Sequence, residues 1–182
     1  MSDATLLDEL PGELLMWILI ISELLVFGAG LVAFLSVRLT DPTGFAEAQD
    51  SLYRTGAGIN TVVLITSGFL AALAYRFSLA TERGRARLCL IAAAALGVVF
   101  LWIKGAEYVA KAAEGITWES HPFFTFYYLL TGFHAAHVVA GVILLLLVCW
   151  RDAPRNIETG AAFWHMVDLV WVLLFPVVYL LQ

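Results

Sequence analysis

The stretch Thr131-Gly-Phe-His-Ala-Ala-His-Val-Val-Ala-Gly141 lies in the middle of an apolar run from about Phe123 to Trp150. On a helix, His134 and His137 fall on one face, with Thr131 one turn above them and Gly141 below. Gly132, Ala136 and Ala140 form a second row at four-residue spacing, which predicts the close approach of another helix backbone. The segment offers its neighbours both polar partners and a flat docking surface. It is the expected central helix of the fold.

Working outward, composition sets the class. The chain has 182 residues, of which 62% are hydrophobic and 14% charged, too apolar for a water-soluble domain of this size and expected to lie mostly in a bilayer. The formal charge of -5 is modest, and no basic nucleic-acid patch, phosphate loop or internal repeat is legible. The segment before Leu14 carries Asp3, Asp8, Glu9 and Glu13 without Lys or Arg, so it does not read as a secretory signal.

Five apolar runs, at about 14–38, 59–76, 88–109, 123–150 and 160–181, each approach the roughly 20 residues that span a bilayer. They predict an all-α membrane protein, one five-helix bundle over residues 1–182, with its termini on opposite sides. Asp41-Pro42 marks a turn, and Phe45, Leu52 and Tyr53 suggest one side of a short surface helix. One face collects Arg76, Arg83, Arg85, Arg87, Arg151 and Arg155, the other Arg38, Arg54 and Lys111. The positive-inside rule then places the N-terminus in the cytoplasm and Gln182 outside. Trp17, Tyr75, Trp150 and Trp164 are expected at inner helix ends, and Tyr108, Trp118, Tyr127 and Tyr179 near outer ones. Cys89 and Cys149, at inner ends, read as reduced packing residues.

Ionisable residues inside a bilayer are costly and invite a functional reading. At 1.5 Å per residue, Glu23 lies roughly 14 Å from the inner end of its helix, His137 and Asp168 about 10 Å, His134 about 15 Å and His165 about 5 Å. These five are expected to meet, making the first, fourth and fifth helices mutual neighbours. The favoured contact joins an imidazole of the central helix to Glu23, since Asp168 already has His165 one turn away. Three readings stay open: a hydrogen-bonded lock between helices, a site that touches protons or a lipid headgroup, and a metal or heme site. The last has ligand-like spacing but no outer partners to orient the ligands. Lys104 and Glu107, within about 10 Å of the outer end, are expected to pair, with Lys104 snorkelling outward.

Five segments in order resemble subunit III of the heme-copper oxidases. Trp17 with Ser22-Glu23 is similar to that family's W-(x)n-S-E segment, and Asn60-Thr61-Val62-Val63-Leu64 with Ser67-Gly68 to its L-N-T-x-x-L-L-x-S-S/G helix. Glu107-Tyr108 resembles the E-Y pair, the stretch from Thr131 to Val138 the T-G-F-H-G-x-H-V signature, and that from Trp164 to Trp171 the W-H-F-V-D-x-V-W motif. The resemblance implies a multi-pass, non-catalytic accessory subunit of a respiratory oxidoreductase in a bacterial inner membrane. It implies no catalytic residue and no cofactor on this chain, hemes and metal in a partner catalytic subunit, and bound phospholipid. In oxygen reductases such a subunit also assists proton uptake. The larger members have seven helices, and this chain lacks their first two. Leu10-Pro11-Gly12-Glu13, the stretch from Pro122 to Tyr127 and Phe175-Pro176-Val177-Val178-Tyr179 look most like the NorE branch, associated with cytochrome c-dependent nitric oxide reductase. The alternatives are subunit III of a terminal cytochrome c or quinol oxidase, and an independent heme-b or quinone-binding membrane protein.

Overall fold

Six helices and a closing turn make up the computed structural model, which describes residues 14–151 and 153–181. They are α1 (Leu14–Arg38), α2 (Pro42–Asp50), α3 (Arg54–Leu79), α4 (Arg83–Ala113), α5 (Pro122–Arg151) and α6 (Pro154–Phe175), followed by a π-helical turn at Pro176–Leu180. The acidic N-terminal residues, the Leu10-Pro11-Gly12-Glu13 opening, Asp152 and Gln182 lie outside the described residues. All but α2 are long and apolar enough to cross a membrane, giving five crossings.

The spanning helices outrun the apolar runs that predict them. α3 begins at Arg54 rather than near 59, α4 runs Arg83–Ala113 rather than 88–109, and α6 begins at Pro154 rather than 160. Hydropathy marks only the lipid-buried turns, while backbone hydrogen bonding continues into the interface until local chemistry stops it. Pro42 and Pro154 start their helices, where a missing N–H costs nothing. Gly115 ends α4 in the left-handed region (φ 75°), with Ile116 N–H donating to the Lys111 carbonyl and Gly115 N–H to that of Ala112.

α3 and α4 form an antiparallel pair, α6 crosses α3, and α5 packs beside α4 and α6. α1 lies at the edge against α5 and α6, and Phe27 and Phe34 are its buried residues among those described. Two seven-residue spacings hold the centre together. Asn60 Nδ2 and Ser67 Oγ of α3 donate to the Phe100 and Ala93 carbonyls of α4, at 3.3 and 2.7 Å. The indoles of Trp164 and Trp171 of α6 donate back to Ser67 and Thr61, each at 3.0 Å. The Trp164 ring fits because Gly97 and Gly141 lack side chains; a Cβ would lie 2.7 and 2.5 Å from it.

Several expectations are corrected. Trp164, Tyr127 and Tyr179 are fully buried, so they are core residues and not interfacial anchors. Ala136 and Ala140 are exposed and Gly132 half-buried. That row faces away from the other helices, because α5 turns its Thr131–His134–Val138–Gly141 face inward instead. α2 seats Phe45 against Phe34, Phe123 and His121, and Leu52 is buried, but the helix ends at Asp50 and Tyr53 is exposed.

Candidate functional site

Two polar regions lie within the spanning helices. The first is built around Lys104 of α4. Its ammonium donates to Glu107 Oε2 at 3.0 Å, to Tyr127 Oη of α5 at 3.0 Å, and to Tyr179 Oη of the π-helical turn. The Tyr179 hydroxyl in turn donates to the Glu107 carboxylate at 3.1 and 3.2 Å. The rings of Tyr127, Tyr108, Tyr179 and Trp171 surround the ammonium at 4.4 to 5.9 Å. Lys104 is 1% exposed. The expected pair with Glu107 forms, but Lys104 does not snorkel outward: its three donors are satisfied where it stands, and moving to water would strand Glu107. Beside it, Thr131 Oγ1 donates to the Tyr127 carbonyl, so the Tyr108 hydroxyl, 2.6 Å from Thr131, is the donor of that pair.

Local chain chemistry delivers Tyr179 to this cage. Pro176 cannot continue a regular helix, and the wider turn that follows swings Tyr179 inward, closed by Leu181 N–H on the Pro176 carbonyl. Gln49 Nε2 of α2 donates to the Val178 carbonyl at 3.0 Å, and Arg38 donates to that of Leu181. The C-terminal turn is thus clamped from three directions.

The second region is looser. Glu23 Oε2 of α1 and His137 Nε2 of α5 lie 3.1 Å apart, their side chains 24% and 15% exposed. The distance is that of an ion pair, yet Oε2 has no aligned hydrogen-bond donor. His137 Nδ1 sits 2.9 Å from the Phe133 carbonyl, which only accepts, so Nδ1 carries a proton.

The other members of the expected layer do not join this pair. His134 is fully buried, stacked on Trp171 at 5.2 Å and edge-on to Phe100 at 5.5 Å, and neither ring nitrogen has a hydrogen-bond partner. Asp168 packs over α3, where a Cβ on Gly68 would lie 2.0 Å from its Oδ2, and its Oδ1 lacks a partner. No hydrogen bond or ion pair joins Asp168 to His165 among the described residues, contrary to the local pairing expected of them. His165 is exposed and faces an apolar cleft shared with Met16, Trp17 and Ile20 of α1. α1, α5 and α6 are mutual neighbours, but the polar groups on them form no single network. No group of three or more His, Cys, Asp or Glu residues able to hold a metal ion occurs among the described residues.

Sequence reading overlooked Tyr127, Tyr179, Trp164 and Trp171 as polar partners. The seven-residue spacings of Asn60 with Ser67 and Trp164 with Trp171 are the available signal; nothing along the chain links Tyr179 to Lys104.

Comparison with known proteins adds an independent line. The family described as cytochrome c oxidase subunit III matches residues 12–182. A protein named cytochrome c oxidase subunit 3 from Synechocystis sp. is 30% identical over 171 residues, covering 89% of this chain and 72% of its own length. One of the same name from Thermostichus vulcanus is 32% identical over 174 residues, covering 90% and 84%. Against the Pyricularia grisea protein of that name the identity is 33% over 129 residues, and the aligned part is 47% of that relative's length.

Proposed function

The chain belongs to the cytochrome c oxidase subunit III family, and from that premise we propose that it is a non-catalytic accessory subunit of a heme-copper respiratory oxidoreductase. The hemes and metal then reside in a partner catalytic subunit, and this chain packs on its flank. The observation that carries the reading is how the motif residues are used. Asn60, Ser67, Trp164 and Trp171 bind helix to helix, whereas Glu23 and His137 stay partly exposed at the α1–α5 rim. Polar groups that face out of a membrane bundle favour an abutting protein over lipid.

For the parent complex, the Phe175-Pro176-Val177-Val178-Tyr179 tail supports a nitric oxide reductase of the cytochrome c-dependent class. The names of the relatives favour the second reading, an oxygen-reducing oxidase. The deciding experiment is purification through a tag on this chain. A co-eluting heme subunit is expected, and its identity and its turnover of nitric oxide or oxygen choose between the readings. A chain that elutes alone with a heme spectrum of its own would overturn both, in favour of an independent heme-b protein.

The arginine-rich face made by the α3–α4 and α5–α6 connections supports a cytoplasmic N-terminus in a bacterial inner membrane. A membrane-impermeant thiol reagent should label a cysteine introduced at Gln182, and not one at Arg85, in right-side-out vesicles. The reverse pattern inverts the orientation.

A further inference from the structure

The α3–α4 and α5–α6 connections enclose a cleft of about 310 Å³, where α3 and α5 end and α4 and α6 begin. Ser78, Thr81 and Arg83 line it from the first connection, Arg151 and Pro154 from the second. All of them lie between the apolar runs of the sequence, so the cleft belongs to the watery surface of the bundle and not to the hydrocarbon layer. Its remaining walls, Ala86, Ala153 and Ile157, offer no long apolar track along which an acyl chain could lie.

Ser78 is the telling residue. It is 7% exposed, and its buried Oγ has no hydrogen-bond partner. Ser22, Ser36, Thr61 and Thr66, also in spanning helices, each return the hydroxyl to a carbonyl of their own helix, which Ser78 does not. A buried hydroxyl left this way is costly unless something in the space it lines accepts its proton. The two helix starts beside it are unanswered as well. α2 is capped by Asp41, whereas Glu82 and Ala153 give α4 and α6 no side-chain cap. The last carbonyls of α3 are by contrast satisfied, Arg76, Phe77 and Ser78 accepting the N–H groups of Ala80, Glu82 and Thr81. The Arg83 and Arg151 guanidiniums make no hydrogen bond or ion pair among the described residues, while the neighbouring Glu82 carboxylate is held by Arg85 at 2.6 Å. The cleft thus gathers donors without acceptors.

We propose that this cleft binds a water-soluble phosphate dianion, either inorganic phosphate or a small phosphate monoester. Arg83 and Arg151 each take a phosphate oxygen, the Ser78 hydroxyl donates to a third, and the open first turns of α4 and α6 add their N–H groups and partial positive charge. A carboxylate has two oxygens and leaves part of this set unmet, whereas a tetrahedral phosphate presents an oxygen to each side. The volume exceeds that of a bare phosphate, so a small substituent fits beside it. The site does not depend on which complex the chain serves.

The test is titration calorimetry of the full chain in maltoside detergent with inorganic phosphate, at an ionic strength held constant with chloride. Saturable binding of one phosphate per chain is expected. Arg83→Gln and Arg151→Gln should each weaken it about tenfold, the worth of one charge-assisted hydrogen bond. Ser78→Ala should weaken it about threefold without lowering the Tm, because it removes a hydroxyl that has no partner in the protein. Ala153→Phe fills the cleft with both arginines intact and should abolish binding, which covers the case of a misfolded arginine variant. The absence of saturable heat with the wild type, or wild-type affinity in Ser78→Ala, in Ala153→Phe or in both arginine variants, would overturn the proposal. So would loss of phosphate binding when phosphatidic acid is added to phosphatidylcholine nanodiscs holding the chain, which would assign the cleft to a lipid headgroup.

Discussion

Lys104 and Glu23 are both ionisable residues within membrane-spanning helices, and their surroundings differ in kind. Lys104 is wrapped by a carboxylate, two hydroxyls and four aromatic rings drawn from α4, α5, α6 and the closing turn. Glu23 meets one imidazole, at the rim of the least enclosed helix, with one oxygen lacking an aligned donor. A charge buried in low dielectric is tolerated only when paired and hydrogen-bonded, so the Lys104 cage is complete within the chain. The Glu23 pair is incomplete within the chain, and its two side chains stay partly exposed at the α1–α5 rim. The difference teaches that membrane depth alone does not mark a site of exchange with a partner; exposure combined with unmet hydrogen bonding does.

The largest expected effect is at the cage. Lys104→Met should cost about 3–5 kcal/mol by leaving Glu107 buried without its cation. The double variant Lys104→Met/Glu107→Leu should cost less than the single one, read by denaturant unfolding in detergent; additive losses would dissolve the pairing. Next comes Tyr179→Phe, which removes a hydroxyl that accepts from Lys104 and donates to Glu107. A loss of about 1–3 kcal/mol is expected, and a neutral result would show that the C-terminal turn is held by Gln49 and Arg38 alone.

Glu23→Gln should change the stability of the isolated chain by less than about 1 kcal/mol, because the pair is partly exposed and poorly aligned. Its effect should appear instead as weaker retention of the co-purifying heme subunit. A stability loss matching that of Lys104→Met would place both residues in one class and break the comparison.

The smallest effect belongs to a polar pair outside the membrane. Asp41 accepts the Gly44 N–H at 3.1 Å and lies 3.2 Å from His121 Nε2. Because Phe123 N–H donates to His121 Nδ1, it is Nε2 that carries the proton. The Gly44 N–H first, and His121 second, hold the Asp41 carboxyl below its ordinary 3.8. A lowered folded value means stabilisation that is full above 3.8 and lost as pH falls through the folded value. The Tm advantage of wild type over Asp41→Asn should therefore shrink on acidification below that point. An advantage constant with pH would remove the carboxylate from the account.

Much of the architecture was legible because bilayer geometry constrains single segments. Hydropathy locates each crossing, and the i, i+3 spacing pairs Lys104 with Glu107. The layer of Glu23, His134, His137, His165 and Asp168 was only half legible. Shared depth is a one-dimensional quantity, whereas contact also needs helix rotation. That rotation turned His137 toward α1, His134 into an aromatic box and Asp168 onto Gly68.

By itself the amino-acid sequence determined the membrane-spanning class, the number of long apolar helices and the family motifs. Each of these follows from local composition, spacing or order along the chain. Only the tertiary structure decided that Tyr127 and Tyr179 close the Lys104 cage, that Trp164 lies over two glycines, and that Gly132, Ala136 and Ala140 face away from the bundle. The physical reason is separation: Lys104 and Tyr179 are 75 residues apart. Their meeting depends on how helices rotate and how a proline turn ends the chain, which no short-range pattern encodes.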